Sequence, residues 1–264
     1  MGRIVHIALK CNDLESFEKS TKFYEDIFGI YQTKTGHARG HISRHMTDGN
    51  IDLALMVYDS ENEKEAKLAG AGPRIHHVGI EVTDRPSMIK KIEDNGGTIF
   101  SDRTEGALKY HAPDGSLGEI VGVGRYPKKE RSAKSRIAHV AMKVNDLEMA
   151  TKFYENVFEF KQLKTVKNPN GHISRHMTDG DTDIALMVYD SENSPEAQLA
   201  GGGLGIHHWG LEVPNREALA AEIEAKGGTI LSKLEAKALK FRGPDGNIAE
   251  IVGPGGFDEF KLSA

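Results

Sequence analysis

The chain has 264 residues, which is enough for two domains of ordinary size, each with its own core. With 38% hydrophobic and 28% charged residues and a formal net charge of −5, it has no electrostatic reason to bind nucleic acid or an acidic membrane. No apolar run approaches the roughly 18 residues that a membrane span requires, so we expect a small-molecule partner, with assembly into a homo-oligomer left open.

The first predicted element is a strand, RIVHIALK, which begins almost at the start of the chain. A strand in this position leaves no room for a signal peptide, so we expect a cytoplasmic protein. The single cysteine, Cys11, follows this strand and cannot form an internal disulfide. Its counterpart in the second half is Val144, so we interpret Cys11 as a small core residue.

The next elements follow a β-α-β-β-β order. Asp13 and Ser16, in the stretch NDLES, are both good helix N-caps and lead into an amphipathic helix, SFEKSTKFYEDIF. Two strands, HISRHM and IDLALMVY, follow it and are predicted to be joined by a two-residue turn at Asp48-Gly49. The order then restarts with the strand HHVGIEV, the helix RPSMIKKIEDNGG and the strands ALKYHA and GEIVGV. The fold class is therefore α+β, with curved sheets.

The second half of the chain repeats the first. The ten letters GHISRHMTDG occur at 40–49 and again 131 residues later, at 171–180. We predict a first domain over 1–123, a linker over 124–135, a second domain over 136–255 and a tail over 256–264. The linker, GRYPKKERSAKS, has a proline and clustered basic charge, and we interpret it as a solvated connector.

Two histidines and one glutamate occupy matching places in both halves. They are His6, His77 and Glu119, and His139, His208 and Glu250. Each histidine opens a strand, and each glutamate lies beside an apolar run, where an unpaired carboxylate would be costly. Two neutral imidazoles and one carboxylate on neighbouring strands would form a facial set for a divalent metal. Satisfied core histidines and a glutamate–lysine pair are the alternative.

Several longer motifs carry a family resemblance: VHIALK and AHVAMKV, KFYEDIFGI and KFYENVF, IHHVGIEV and IHHWGLEV, APDGSLGEI and GPDGNIAEI. With these the chain resembles a tandem member of the vicinal oxygen chelate superfamily, which includes glyoxalase I, bleomycin and fosfomycin resistance proteins and extradiol dioxygenases. The resemblance implies two tandem domains, each of paired βαβββ units that form an open, curved mixed sheet around a metal cup. It also implies that the six residues above are the metal ligands. His76 and His207, which precede two of them, are then expected to face away from the cup.

The chain departs from the superfamily at two positions in each half. The fourth ligand position of the superfamily falls on Ala54 and Ala185, which cannot bind a metal. A tyrosine that extradiol enzymes carry before the last strand is here Lys109 and Lys240. Such a lysine could stabilise a substrate oxyanion, or it could be a surface residue on a strand edge.

The repeated stretch contributes a further candidate in each half. With a two-residue turn, His45 lies opposite Asp52 and faces the cup, as does His176 in the second half. Both histidines are therefore candidates for acid–base catalysis. The same register places Arg44 outside the cup, where it could pair with a carboxylate across the domain interface.

A three-residue ligand set leaves up to three coordination positions for water, substrate and dioxygen. We therefore predict a divalent-metal enzyme acting on a small substrate with vicinal oxygens, and favour an iron(II) extradiol-type dioxygenase. Manganese(II) or another divalent ion remains open. A glyoxalase-like lyase or isomerase is the first alternative, because both ligand sets are complete, whereas extradiol enzymes tend to keep one. A metal-free module that binds drugs and confers resistance is the second.

Overall fold

The computed structural model describes residues 1–101, 106–130, 133–169 and 171–261. Within these ranges each half of the chain contains eight strands in one sheet. The strands of the first half are β1 (Arg3–Lys10), β2 (Tyr31–Ala38), β3 (His41–Thr47), β4 (Asp52–Tyr58), β5 (Arg74–Val82), β6 (Thr98–Ile99), β7 (Leu108–His111) and β8 (Leu117–Gly122). Its helices are α1 (Leu14–Phe28), α2 (Lys64–Leu68) and α3 (Arg85–Asp94).

The second half has the same elements in the same order. Its strands are β9 (Arg136–Lys143), β10 (Lys161–Asn168), β11 (His172–Thr178), β12 (Asp183–Tyr189), β13 (Gly205–Glu212), β14 (Thr229–Ile230), β15 (Leu239–Arg242) and β16 (Ile248–Val252). Its helices are α4 (Leu147–Phe158), α5 (Pro195–Gln198) and α6 (Arg216–Ala225), and a 3₁₀ turn over Asp258–Phe260 follows the last strand.

Each sheet is built from two β-α-β-β-β units. The strand order in the first half is β2-β3-β4-β1-β5-β8-β7-β6, and the second half repeats it. Within each unit the first and last strands are parallel, and the two units join through the antiparallel pair β1–β5. The sheet is mixed, curved and open at both edges, so the predicted fold class and the predicted unit order are confirmed.

One face of each sheet packs against the helices and the other lines the cup. Helix α1 begins at the predicted N-cap, Asp13, and ends at Gly29, whose φ of 68° is favourable for glycine. Its buried face carries Phe17 and Phe23, each of which contributes roughly 1.5–3 kcal/mol on full burial. Cys11 lies in the same core, as predicted. Within the described part of the chain, no helix is long and apolar enough to cross a membrane.

Aspartates from the repeated stretch join the two halves. The Asp179 Oδ2 atom accepts a hydrogen bond from the backbone N–H of Ile4 at 2.6 Å. In the matching contact the Asp48 Oδ2 atom accepts from the N–H of Ile137 at 2.7 Å. Each half thus holds the first strand of the other, which is the reciprocal pattern of a pseudo-two-fold interface. This contact accounts for the Asp-Gly part of the repeat.

The connection between β3 and β4 differs from the predicted two-residue turn. Four residues, 48–51, form it, because Asp48 Oδ1 accepts hydrogen bonds from the N–H groups of Asn50 and Ile51 at 2.8 Å each. His45 consequently pairs with Ala54 rather than with Asp52. The error amounts to two residues, and side chains on a strand alternate between faces, so His45 still faces the cup.

Arg44 lies outside the cup, but it does not reach the other half. Its guanidinium forms two hydrogen bonds with Glu18 on α1 of the same half, at 2.6 and 3.0 Å. It also lies over the ring of Phe17, 4.5 Å from the ring centroid. The expected pairing of Arg44 with a carboxylate across the domain interface is therefore wrong, because the Glu18 carboxylate on α1 lies beside the strand.

Candidate metal centres

The first set of predicted ligands converges on the cup face of three neighbouring strands. His6 lies on β1, His77 on β5 and Glu119 on β8, and one ligand atom from each lies within 4.8 Å of the others. All three side chains are buried. Gly79 lies between His6 and Glu119 in the sheet. A Cβ atom there would come 2.8 Å from the Cβ of His6, so only glycine leaves the imidazole its space.

The second set has the same arrangement on β9, β13 and β16. The Nε2 atoms of His139 and His208 are 3.3 Å apart. Glu250 places Oε2 3.2 Å from Nε2 of His208 and Oε1 3.7 Å from Nε2 of His139. Ligands at right angles around an ion with bonds of about 2.1 Å lie about 3 Å apart, so this spacing is close to that of a coordination sphere.

A carboxylate orients the first histidine of each set. Asp52 Oδ2 lies 2.7 Å from Nδ1 of His6 and 2.8 Å from Nδ1 of His45. Burial raises the pKa of Asp52, but the hydrogen bonds of the two histidines outweigh it and lower that pKa. A carboxylate can only accept, so each histidine donates through Nδ1 and keeps Nε2 free. Asp183 holds His139 in the same way at 2.6 Å.

The second histidine of each set is oriented by the histidine before it. His76 was predicted to face away from the cup, and this prediction is wrong. It is the extra residue of a β-bulge between β5 and β1, so its side chain does not alternate to the opposite face of the sheet. Its Nε2 lies 2.9 Å from the carbonyl oxygen of Glu65, and its Nδ1 lies 2.8 Å from Nδ1 of His77. His76 must donate to the carbonyl, so it accepts at Nδ1, and His77 therefore presents an unprotonated Nε2.

His207 and His208 repeat this chain of hydrogen bonds. Their Nδ1 atoms are 2.8 Å apart, and Nε2 of His207 lies 2.9 Å from the carbonyl oxygen of Glu196. The expectation that His207 faces away from the cup is therefore also wrong. Histidines that bind metals commonly donate their other N–H to such a partner, which fixes the tautomer.

The protonation states suit a cation rather than a set of internal hydrogen bonds. Burial and the charge of Lys109 lower the pKa of His77 to about 3. Burial opposes ionisation of Glu119, but its interactions with His77 and Lys109 hold its pKa well below the usual value. Nε2 of His77 is buried and, within the described residues, has no hydrogen-bond partner, although Glu119 Oε2 lies 3.4 Å away. Two lone pairs and a carboxylate thus converge without a proton between them, and a divalent ion fits this set.

The two predicted lysines face the cups and are not surface residues. Lys109 Nζ lies 3.2 Å from Glu119 Oε2. Lys240 Nζ lies 2.8 Å from Glu196 Oε1 and 3.9 Å from Glu250 Oε2. The sequence did not indicate Glu196 on α5 or Glu65 on α2 as site residues, although the 131-residue offset relates the two.

The two cups differ in what covers them. In the second half a cavity of about 490 Å³ opens onto all three candidate ligands, Lys240 and His176. In the first half a smaller cavity of about 260 Å³ reaches His45 and Asp52 and is lined by Tyr126 from the predicted linker. The sequence did not indicate this tyrosine, which is half-buried, because the segment around it has no apolar pattern.

Two βαβββ units around a His-His-Glu set, duplicated in one chain, define a tandem vicinal oxygen chelate protein. The family model of the Glyoxalase/Bleomycin resistance protein/Dioxygenase superfamily matches residues 3–116 and 136–251. The chain therefore belongs to this superfamily, and the resemblance noted in the sequence is confirmed.

Relatives by sequence are lactoylglutathione lyases. The chain is 22% identical to one from Arabidopsis thaliana, over 92% of this chain and 89% of that protein. It is 24% identical to a probable chloroplastic lactoylglutathione lyase of Arabidopsis thaliana, over 72% of this chain, and the match spans about half (51%) of that relative's length.

Similar solved structures include other enzymes. A variant of 4-hydroxymandelate synthase from Streptomyces coelicolor superposes with a TM-score of 0.71 at 12% identity, covering 96% of this chain and 92% of that one. The 2,2',3-trihydroxybiphenyl 1,2-dioxygenase of Sphingomonas wittichii strain RW1 superposes with a TM-score of 0.64 at 17% identity, covering 95% and 90%. At these identities the likeness concerns the fold alone.

Proposed function

We propose that this protein is a divalent-metal enzyme that acts on a small molecule with two adjacent oxygens, and that it is an iron(II) dioxygenase of the extradiol type. The observation that carries the proposal is the three-residue ligand set facing an open cavity in the second half. Ala185 lies where other members of the superfamily carry a fourth ligand, so room remains for a bidentate substrate and for dioxygen. A cavity of about 490 Å³ suits a small aromatic molecule.

Iron(II) in this site would supply Lewis acidity toward the substrate oxygens and a binding position for dioxygen. The remaining chemistry falls to side chains of the chain itself. Lys240 lines the cavity and would stabilise the anion that forms when the substrate loses a proton.

His176 is the candidate proton acceptor. Its Nδ1 lies 3.0 Å from both oxygens of Asp183. The carboxylate fixes Nδ1 as the donor, so Nε2 carries the lone pair, in a side chain that lines the cavity. The ring of Phe260 stacks on His176 at 4.5 Å, which holds the imidazole in place. The matching residue, His45, has the same partner in Asp52, beneath the smaller cavity.

A lactoylglutathione lyase-like reaction is the second candidate, because the sequence relatives are named for it. Such a reaction moves protons within its substrate and consumes no dioxygen. Metal-free binding of a drug, the third alternative, is disfavoured by two complete sets of buried ligands, because in each set two imidazoles and one carboxylate converge within reach of a single ion.

Metal content and oxygen dependence together test the proposal. We expect two divalent ions per chain, one after Glu119→Ala or Glu250→Ala, and none after both changes, because each change removes the only charged ligand of its centre. Iron-loaded protein is then assayed against a panel of catechols and a 2-oxoaldehyde–thiol adduct, with and without oxygen. Turnover of the adduct that is unchanged without oxygen would replace the dioxygenase by the lyase. Full metal content in the double variant would refute the ligand assignment.

A further inference from the structure

The two cups are covered by equivalent chain segments of opposite charge. Residues 125–129, RYPKK, contribute to the cavity of the first cup, and residues 256–260, GFDEF, contribute to that of the second at the repeat offset of 131 residues. Tyr126 and Phe257 hold equivalent places, since each ring stacks on the first histidine of its ligand set. The first segment carries three positive charges, whereas the second carries two negative charges. The two halves therefore share the shape of the cover but not its charge.

One lysine in each cup shows the effect of this difference. Lys34 on β2 and Lys164 on β10 are equivalent, because each is paired across the strands with the second histidine of HISRHM. In the second half, Glu259 Oε2 lies 2.7 Å from Nζ of Lys164 and neutralises its charge. The first half has Lys128 at the position of Glu259. Lys34 consequently has no carboxylate partner among the described residues.

Three such cations line the cavity of the first cup. The wall of this cavity, which measures about 260 Å³, includes Lys34, Arg125 and Lys129, and within the described part of the chain none of them forms an ion pair. The carboxylate in the described lining, Asp52, is 9% exposed and accepts hydrogen bonds from two histidines. Like charges that converge on one cavity attract a counter-ion. The cavity is therefore positively charged, in a chain whose formal net charge is −5.

Other groups in the lining define what a bound anion could carry. Thr33 and Thr47 donate their hydroxyl protons to backbone carbonyl oxygens, at 3.1 and 2.8 Å, so the donors left for an anion are the three cations. His45 donates through Nδ1 to Asp52 and keeps a lone pair on Nε2, which can accept a hydrogen bond from a hydroxyl group. The cavity thus suits a small molecule that has a carboxylate or phosphate group and a hydroxyl.

We propose that the cavity of the first cup is a binding site for a small organic anion, whose carboxylate or phosphate group is held by Lys34, Arg125 and Lys129. This inference goes beyond the proposed function, which places the substrate in the second cup. It does not require a metal, because none of the three candidate ligands of the first centre lines this cavity. The two cups therefore take different small molecules, although their candidate metal ligands are the same.

Isothermal titration calorimetry with two simple anions tests the inference. Inorganic phosphate and succinate are titrated separately into the protein at constant ionic strength, and the tighter binder identifies which anionic group the site prefers. We expect one anion per chain and an affinity that falls as sodium chloride is added, because salt screens the charges. In the double variant Arg125→Gln/Lys129→Gln the affinity should fall about tenfold, since an exposed ion pair typically contributes up to a factor of about 5.

Lys128→Gln is the matched control. Lys128 is exposed like Arg125 and Lys129 and lies between them and Glu130 in sequence, but it does not line the cavity. Its removal should change the affinity by less than about twofold. Urea unfolding should show that all variants fold, because the changed side chains are exposed.

Three results would overturn the inference. Equal weakening by Lys128→Gln and by the double variant would show only a general attraction between charges. Absence of saturable binding of either anion would show that the cavity is not a site. Anion binding that disappears when a chelator removes the ions would place the anion on a metal, and the proposed function would then stand without this site.

Discussion

Asp52→Asn should weaken the first metal centre and leave the second intact. Asp52 accepts hydrogen bonds from Nδ1 of both His6 and His45, at 2.7 and 2.8 Å. Both histidines contact the same oxygen, Oδ2, and an asparagine oxygen in its place would be an uncharged and therefore weaker acceptor for both. A hydrogen bond to a charged group contributes about 1.5–3 kcal/mol, which corresponds to a roughly 10- to 100-fold loss of metal affinity. Changes in the partners of metal ligands typically have effects of this size.

The assay is a competition titration against a chromogenic chelator, in which the wild type binds two ions. Asp52→Asn should give one unchanged and one weakened site, and Asp183→Asn, the matched variant, should weaken the other site. Unfolding by urea should confirm that both variants fold. Equal weakening of both sites by Asp52→Asn, or no weakening of either, would refute the inference that this carboxylate sets the tautomer of one ligand.

Three further changes have expected outcomes. Asp179→Asn should lower the free energy of unfolding by about 1–3 kcal/mol, because it removes the carboxylate oxygen that accepts a buried N–H of the other half. Urea unfolding, followed by fluorescence of the single tryptophan, Trp209, measures this change. A change below about 0.5 kcal/mol would contradict the role given to this contact. Metal-free protein should lose stability as pH falls below about 6.5: burial lowers the pKa of His77 and of His208, so the unfolded chain takes up protons that the folded chain does not. His139 acts in the opposite direction, because Asp183 outweighs burial and raises its pKa. A free energy of unfolding that increases as the pH is lowered from 7 to 5 would therefore contradict the expectation that His77 and His208 outweigh His139. Removing the ions with a chelator should lower the melting temperature, since a site at 100 times its Kd contributes about 2.7 kcal/mol, and re-addition should restore it.

Much of the fold could be predicted from the sequence because it depends on local patterns and on repetition. Alternation of apolar residues indicated the strands, and the Asp13 cap indicated where α1 begins. The offset of 131 residues related two domains whose sheets have the same strand order. The residue types at strand starts singled out the candidate ligands, since a strand side chain's face follows from its position in the pattern.

Other features depended on contacts that no local pattern carries. The turn after β3 contains four residues because one aspartate side chain binds two backbone N–H groups within it. A bulge places His76 beside His77, although strict alternation would separate them. A bulge arises from the pairing of two distant strands, so the sequence of one strand does not reveal it.

The way in which each cup is covered depended on the tertiary structure. The ligands, lysines and aspartates of the two centres are the same in sequence, and the repeat predicts equal sites. Tyr126 lies in a segment without apolar periodicity, and it reaches His6 only because the chain folds back over the cup before entering the second domain. Its counterpart, Phe257, covers His139 without an oxygen. Sequence determines which residue types are available to a metal, whereas chain segments packed over the sheet determine how each cup is covered.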